Sequence, residues 1–320
     1  MPAYAASAPG KIILFGEHAV VYGHPAIAVP VTQVQARVSV MANPSGPQGQ
    51  VWIISRETRL DKPLNELPAG HAFNAVIQGV IEAAGITRLP AVRLQINSTI
   101  PIAAGLGSGA AISVAMARAL AAFLGRKLSD EQVSTIAYQA DQKYHGTPSG
   151  IDNTVITYAK PVYFVRGLPF ETLSVGAPFT LVIGNTGIAS PTAITVGEVR
   201  QRHQADPAAF EQLFDAVGTI ARQGRQAIES GQIDQLGPLM DQNHALLQTM
   251  TVSCPELDRL VEAARSAGAL GAKLCGGGRG GNMIALVPPE KAPGVESALR
   301  SAGAVHTIAT IVPASTPEHS

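Results

Sequence analysis

The segment Pro101-Ile-Ala-Ala104-Gly105-Leu106-Gly107-Ser108-Gly109-Ala110-Ala111 passes from a strand-like stretch straight into a long apolar helical one. Glycines let a backbone approach an anion closely. The first turn of a helix offers N–H groups with no intrahelical partner, at the positive end of the helix dipole. Such a segment is built to cradle phosphate. A glycine-rich turn used only for tight packing is the plainer alternative. It is not a Walker loop, because no Lys-Ser or Lys-Thr pair follows the last glycine. Nor is it a dinucleotide fingerprint, because Ala110 stands where the third glycine belongs.

Three other segments carry candidate chemistry. In Gly10-Lys11-Ile-Ile-Leu-Phe-Gly16-Glu17-His18, a lysine opens an apolar strand and two ionisable residues follow its end. Charged groups that bracket a buried strand tend to gather at a cleft, although a surface lysine and a solvated turn explain them equally well. In Asp141-Gln-Lys-Tyr-His145-Gly-Thr-Pro-Ser-Gly-Ile-Asp152-Asn153, Asp141 and His145 fall on one helical face. Asp152 lies past a stretch that forces a loop, as a carboxylate aimed into a pocket or as an Asx turn or cap. The run Cys275-Gly276-Gly277-Gly278-Arg279-Gly280-Gly281 matches a G-x-G-x-x-G pattern, but Asn282-Met-Ile-Ala-Leu-Val continues it as a strand. Read locally, it is a hairpin turn.

The elements that must position these residues follow from hydrophobic periodicity. Strands are expected at 12–15, 26–31, 34–40, 51–55, 92–96, 179–184, 272–274, 282–287 and 307–312. Helices are expected at 72–84, from Ala110 to Leu124, from Ser129 onward with Gln132 completing a capping box, and at 192–203, 207–231, 233–250, 255–268 and 296–302. The order suggests two α+β domains, 1–168 and 169–312, with 313–320 a frayed tail.

Composition excludes several classes. Lys plus Arg and Asp plus Glu are equal at 23 each, so no broad field attracts nucleic acid or an anionic membrane. Two cysteines, Cys254 and Cys275, give neither a disulfide framework nor metal-ligand spacing. The histidines outside these segments show no metal-binding pair. The opening MPAYAASAPGK lacks the basic start and apolar core of a secretory leader, and the most apolar helical stretch is too short to span a bilayer. A cytoplasmic protein is the expectation.

Together the segments resemble the signature motifs of the superfamily of galactokinase, homoserine kinase, mevalonate kinase and phosphomevalonate kinase. Pro101 to Ser108 carries the superfamily pattern Pro-x-x-x-Gly-Leu-Gly-Ser. The stretches Gly16-Glu-His-Ala-Val-Val-Tyr-Gly23 and His145-Gly-Thr-Pro-Ser-Gly-Ile-Asp-Asn153 resemble its mevalonate kinase branch. The resemblance covers nearly the whole chain. It implies an N-terminal domain like ribosomal protein S5 domain 2, a ferredoxin-like C-terminal domain, and an active site in the cleft between them. It further implies ATP and Mg2+ as cofactors, the C5 hydroxyl of (R)-mevalonate as acceptor in isoprenoid precursor biosynthesis, and a homodimer.

By the same resemblance, Asp152 and Lys11 are the catalytic residues. Pro101 and Ala104 to Ala111 hold ATP. Lys11, Glu17, His18, Asp152, Ser190, Thr192, Gly277 and Gly278 face the substrate, and Ser108 and Asp141 serve the metal. Gly276 to Gly281 is thereby placed at the cleft, against its local reading. Three departures stand out: Gly109 replaces a second serine, Asp141 replaces a glutamate, and Cys275 and Arg279 interrupt the third glycine motif. The rival readings are another kinase of the superfamily, acting on phosphomevalonate, the mevalonate 3-hydroxyl or homoserine, and a nucleotide-binding protein without catalysis. The presence of both Lys11 and Asp152 speaks against the latter.

Overall fold

The computed structural model describes residues 3–68, 70–101, 104–145, 148–190 and 192–316. Parts of three expected features lie outside them: residues 102–103 of the glycine loop, 146–147 of the turn before Asp152, and 317–320 of the tail. The chain divides into two compact units. The first comprises 1–10, 34–101 and 107–159, and the second comprises 11–33, 102–106 and 160–320.

The chain opens with β1 (Tyr4–Phe15) and β2 (Ala26–Ala42), each of which contributes residues to both units. β2 is one strand of 17 residues where sequence suggests two. Its outer half alternates buried and exposed side chains, and its inner half is buried almost throughout. A change of burial pattern, and not a turn, separates the two halves.

β3 (Val51–Ser55), β4 (Leu60–Pro63), α1 (Ala72–Ala84) and β5 (Val92–Ser98) follow. In the first unit the strands are ordered β4-β3-β5-β2, with β3 parallel to β5. A parallel pair needs a long crossover, and α1 lies within it. α2 (Ser108–Phe123) is buried on nearly all sides, as an alanine-rich helix without a polar face must be. α3 (Asp130–His145) and α4 (Ile151–Tyr158) pack on it. Arg118 of α2 ties the three together, donating to Asp130 Oδ1 at 2.6 Å and to the Thr157 carbonyl at 2.7 Å. The capping box forms as expected: the Ser129 N–H donates to Gln132 Oε1 at 2.9 Å, and the Gln132 N–H to Ser129 Oγ at 3.2 Å.

The second unit continues with β6 (Val162–Phe164), β7 (Glu171–Thr172), β8 (Phe179–Asn185), α5 (Thr192–Ala205), α6 (Pro207–Ser230), α7 (Leu236–Thr249) and α8 (Pro255–Ser266). It closes with β9 (Gly271–Cys275), β10 (Asn282–Val287), α9 (Ala292–Ser301) and β11 (His306–Val312). The antiparallel sheet runs β11-β8-β10-β9, so its strands, numbered along the chain, lie in the order 4-1-3-2. With helices after the first and third strands, this is the split βαβ arrangement of a ferredoxin-like domain. Phe214, Leu257, Leu260, Val261, Leu274, Met283 and Leu299 build its core.

α7 seats directly on β9. A Cβ on Gly271 would lie 2.0 Å from the Gly237 carbonyl oxygen, so only two glycines allow this approach. The contact brings the middle of α7 beside Lys273. Among the described residues, no helix is long and apolar enough to cross a membrane.

Candidate active site

The second unit gathers the buried charge. Lys11 lies on β1, 4% exposed, and its N–H donates to the Leu106 carbonyl at 3.0 Å. The chain leaving β1 then turns sharply at Gly16-Glu17-His18. His18 has φ 62° and ψ −49°, a backbone conformation that costs a residue with a side chain about 1–3 kcal/mol. The turn is held by Ala19 N–H to Glu17 O at 2.7 Å and Val21 N–H to His18 O at 3.2 Å. The imidazole Nε2 lies 3.2 Å from the Gly277 carbonyl oxygen. A carbonyl only accepts, so Nε2 carries the proton and Nδ1 is left with its lone pair. Nδ1 is buried and has no hydrogen-bond partner among the described residues. Burial lowers the His18 pKa to about 4, with a smaller contribution from the Lys273 charge opposing the hydrogen bond to Gly277, so the ring is neutral near pH 7.

Glu17 is held from both sides. Lys273 Nζ pairs with its Oε1, and Asn243 Nδ2 donates to its Oε2 at 3.2 Å. Lys273 also donates to the Leu274 carbonyl at 2.7 Å. The Leu274 N–H donates to His244 Nδ1 at 3.3 Å, which leaves the His244 proton on Nε2, 3.2 Å from Asp258 Oδ1. Burial lowers the His244 pKa, partly offset by Asp258. Sequence reasoning found Glu17 and missed Lys273 and Asn243. Lys273 offered one signal, a lysine flanked by Ala272 and Leu274 in a fully buried strand.

Residues 276–281 form the β9–β10 hairpin turn, and their carbonyls serve as acceptors for neighbouring side chains. His18 reaches Gly277, and Ser190 Oγ donates to Gly278 O at 2.7 Å. Gly278 has φ 79°, and a Cβ there would meet the Val252 carbonyl oxygen at 1.9 Å, so the position is closed to any other residue. Thr192 begins α5, its N–H bonded to Ser190 O at 2.9 Å, and its Oγ1 lies beside Gly277. Arg279 leaves the turn to pair with Glu198 of α5 at 2.5 Å. Cys275 donates its thiol to the Ile13 carbonyl at 3.2 Å, and burial pushes its pKa up to about 11. Structure thus brings Glu17, His18, Ser190, Thr192, Gly277 and Gly278 together in one unit.

In the first unit, Gly107 takes φ 74° and α2 begins at Ser108, with Ala111 N–H making the first intrahelical bond to Gly107 O at 2.9 Å. The N–H groups before it lack intrahelical acceptors and point out of the helix end. Ser108 is half-buried. Gly109 is exposed, with open space where a Cβ would stand. Asp141 lies half-buried on α3. Asp152, past the loop-forming stretch, lies in the first turn of α4, which starts directly after Gly150. A carboxylate is stabilised there by the helix dipole. The turn is fixed by Thr154 Oγ1 donating to Gly150 O at 2.7 Å and by Asn153 Nδ2 donating to Ser134 Oγ at 2.8 Å. Among the described residues, no three His, Cys, Asp or Glu side chains gather into a metal cage.

The chain also matches known protein families and structures. The pattern described as GHMP kinases N terminal domain matches residues 71–160, and that of GHMP kinases C terminal matches residues 225–305. A mevalonate kinase of Thermococcus sibiricus is 36% identical over 326 residues, 96% of this chain and 95% of that protein. One from Pyrococcus furiosus is 36% identical over 330 residues, with the same coverage. The crystal structure of L. major mevalonate kinase in complex with R-mevalonate superposes with a TM-score of 0.84 at 30% identity, covering 98% of this chain and 96% of that one.

Proposed function

We propose, from the premise that the chain belongs to the mevalonate kinases of the GHMP kinase family, that it transfers the γ-phosphoryl group of ATP to the C5 hydroxyl of (R)-mevalonate, giving 5-phosphomevalonate and ADP. The structural observation that carries the substrate reading is His18 Nδ1. A buried polar atom without a partner costs about 1–3 kcal/mol, and a substrate hydroxyl donating to it would recover that. Glu17, locked by Lys273 and Asn243, holds the adjoining backbone in its strained turn. Ser190 and Thr192 supply further polar contacts beside Gly277 and Gly278.

Asp152 orients the acceptor hydroxyl and takes its proton late. A primary alcohol has a pKa near that of water, about 16, and loses its proton only as the metaphosphate-like group is captured. Lys11 neutralises charge developing on the transferred group. The helix end at Ser108 to Ala111, with Pro101 and Ala104 to Gly107 leading into it, cradles the phosphates.

Mg2+ suits the donors available. The Ser108 hydroxyl and the Asp141 carboxylate are hard oxygen ligands, and Mg2+ binds through one or two protein groups while keeping water and nucleotide phosphates. Once bound it would neutralise the β- and γ-phosphate oxygens. The same reading makes the protein a cytoplasmic homodimer in isoprenoid precursor synthesis. Incubation with ATP and, separately, mevalonate, 5-phosphomevalonate, homoserine and galactose tests the reading. ADP should appear with mevalonate, and a preference for any other acceptor overturns the assignment.

A further inference from the structure

Asn282 and Asn185 are directly opposed on β10 and β8. Asn282 is 2% exposed. Their amides form one chain of hydrogen bonds. The Gly187 N–H donates to Asn185 Oδ1 at 2.7 Å, Asn185 Nδ2 donates to Asn282 Oδ1 at 2.7 Å, and Asn282 Nδ2 donates to the Ala104 carbonyl. The polarity of this relay is forced. A backbone N–H at one end can only donate and a carbonyl at the other can only accept, so each amide has a single allowed orientation. Further bonds tie the strand ends together: the Thr186 N–H and Oγ1 donate to Gly281 O at 2.9 and 3.0 Å, and the Gly281 N–H donates to Ile188 O at 2.8 Å.

We infer that Asn282 is a positioning residue for nucleotide binding: oriented by Asn185, it fixes the Ala104 peptide and hence the glycine loop that receives the ATP phosphates. This rests on the reading of that loop as the phosphate site. No side chain of the relay touches the nucleotide; the effect passes through the loop backbone, where small displacements change phosphate geometry.

The test is the variant Asn282→Asp. One oxygen still accepts from Asn185. Ionised, the other faces the Ala104 carbonyl and repels it; protonated, it donates to that carbonyl and restores the bond. Burial raises a carboxyl pKa, so the defect belongs to high pH and fades as pH falls. The neighbouring titratable groups are Cys275 opposite on β9, whose thiol stays protonated with a pKa of about 11, His306 opposite Asn185 on β11, and the charged Lys11, Lys273 and Glu17 near Cys275. Wild type measured in parallel removes their contribution.

Affinity for a non-hydrolysable ATP analogue is read by titration. Asn282→Asp should bind about tenfold more weakly than wild type at pH 8 and approach it at pH 6. Asn185→Asp, which reverses the preferred orientation of Asn282 from outside the loop, should weaken binding likewise and guards against a variant that fails to fold. Wild-type affinity in both variants at pH 8, or a defect in Asn282→Asp independent of pH, overturns the inference. Binding is measured without an acceptor, so a chain inactive on mevalonate would sink the substrate reading and leave this result readable. A wild type that binds no analogue would overturn the phosphate-loop reading itself.

Discussion

Lys273 and Glu17 form an ion pair closed to solvent, 0% and 1% exposed, joining β9 to the turn after β1 from opposite ends of the sequence. Burying two charges is expensive unless their remaining groups are bonded. Here Lys273 Nζ also donates to the Leu274 carbonyl, and Asn243 Nδ2 donates to the second carboxylate oxygen. The pair anchors the strained turn that carries His18.

Removing one partner strands the other. Lys273→Met should destabilise the protein by about 3–5 kcal/mol in chemical denaturation, and Lys273→Met combined with Glu17→Gln should recover a substantial part of that loss. Additive losses in the double variant would show that the two charges do not support one another.

His18 makes stability depend on pH. Its folded pKa of about 4 lies below the unfolded value of about 6.5, so the unfolded chain binds more protons between these limits. The contribution of the neutral ring is fully present above pH 6.5 and is lost as pH falls toward 4. The loss amounts to roughly 3 kcal/mol. His244, shifted the same way, adds to the trend. Urea unfolding across pH 4 to 7 checks this, and His18→Asn should flatten the slope.

Gly109 stands where the family resemblance implies a serine, and among the described residues nothing occupies the space of its Cβ. Gly109→Ser should fold as well as wild type or slightly better, since serine is the stronger helix former by about half a kcal/mol. It should reach half-maximal rate at a Mg2+ concentration several-fold lower. A Mg2+ titration of the rate measures this, and an unchanged midpoint would separate Gly109 from metal binding.

Asp152→Ala should lower kcat by orders of magnitude while an ATP analogue binds with little change, because the proposed mechanism has the carboxylate act on the acceptor proton and not on the nucleotide. Comparable losses in kcat and analogue affinity would assign Asp152 to nucleotide binding instead.

Much of this was legible in sequence because it is local. The helix behind the glycine loop, read from Ala110 and found from Ser108, and the Ser129 capping box are written in neighbouring residues. The α4 helix was hidden: eight residues rich in Ile, Thr and Val, behind a Gly-Thr-Pro-Ser-Gly approach, lack a helical signature. α9 begins at Ala292, earlier than its periodicity suggests, because Pro293 and Gly294 fit a first turn that needs few N–H donors. The Lys273–Glu17–Asn243 network and the Asn185–Asn282–Ala104 relay were unreadable for a different reason. Their partners are far apart in sequence: the register of β8 and β10 sets Asn185 opposite Asn282, and the seating of α7 on β9 sets Asn243 beside Lys273.

The most direct test is identification of the product. With ATP, Mg2+ and (R)-mevalonate, phosphorus NMR should show one new phosphomonoester on the C5 oxygen, formed in equal amount with ADP. No phosphorylated product, or phosphate on the 3-hydroxyl, would contradict the account.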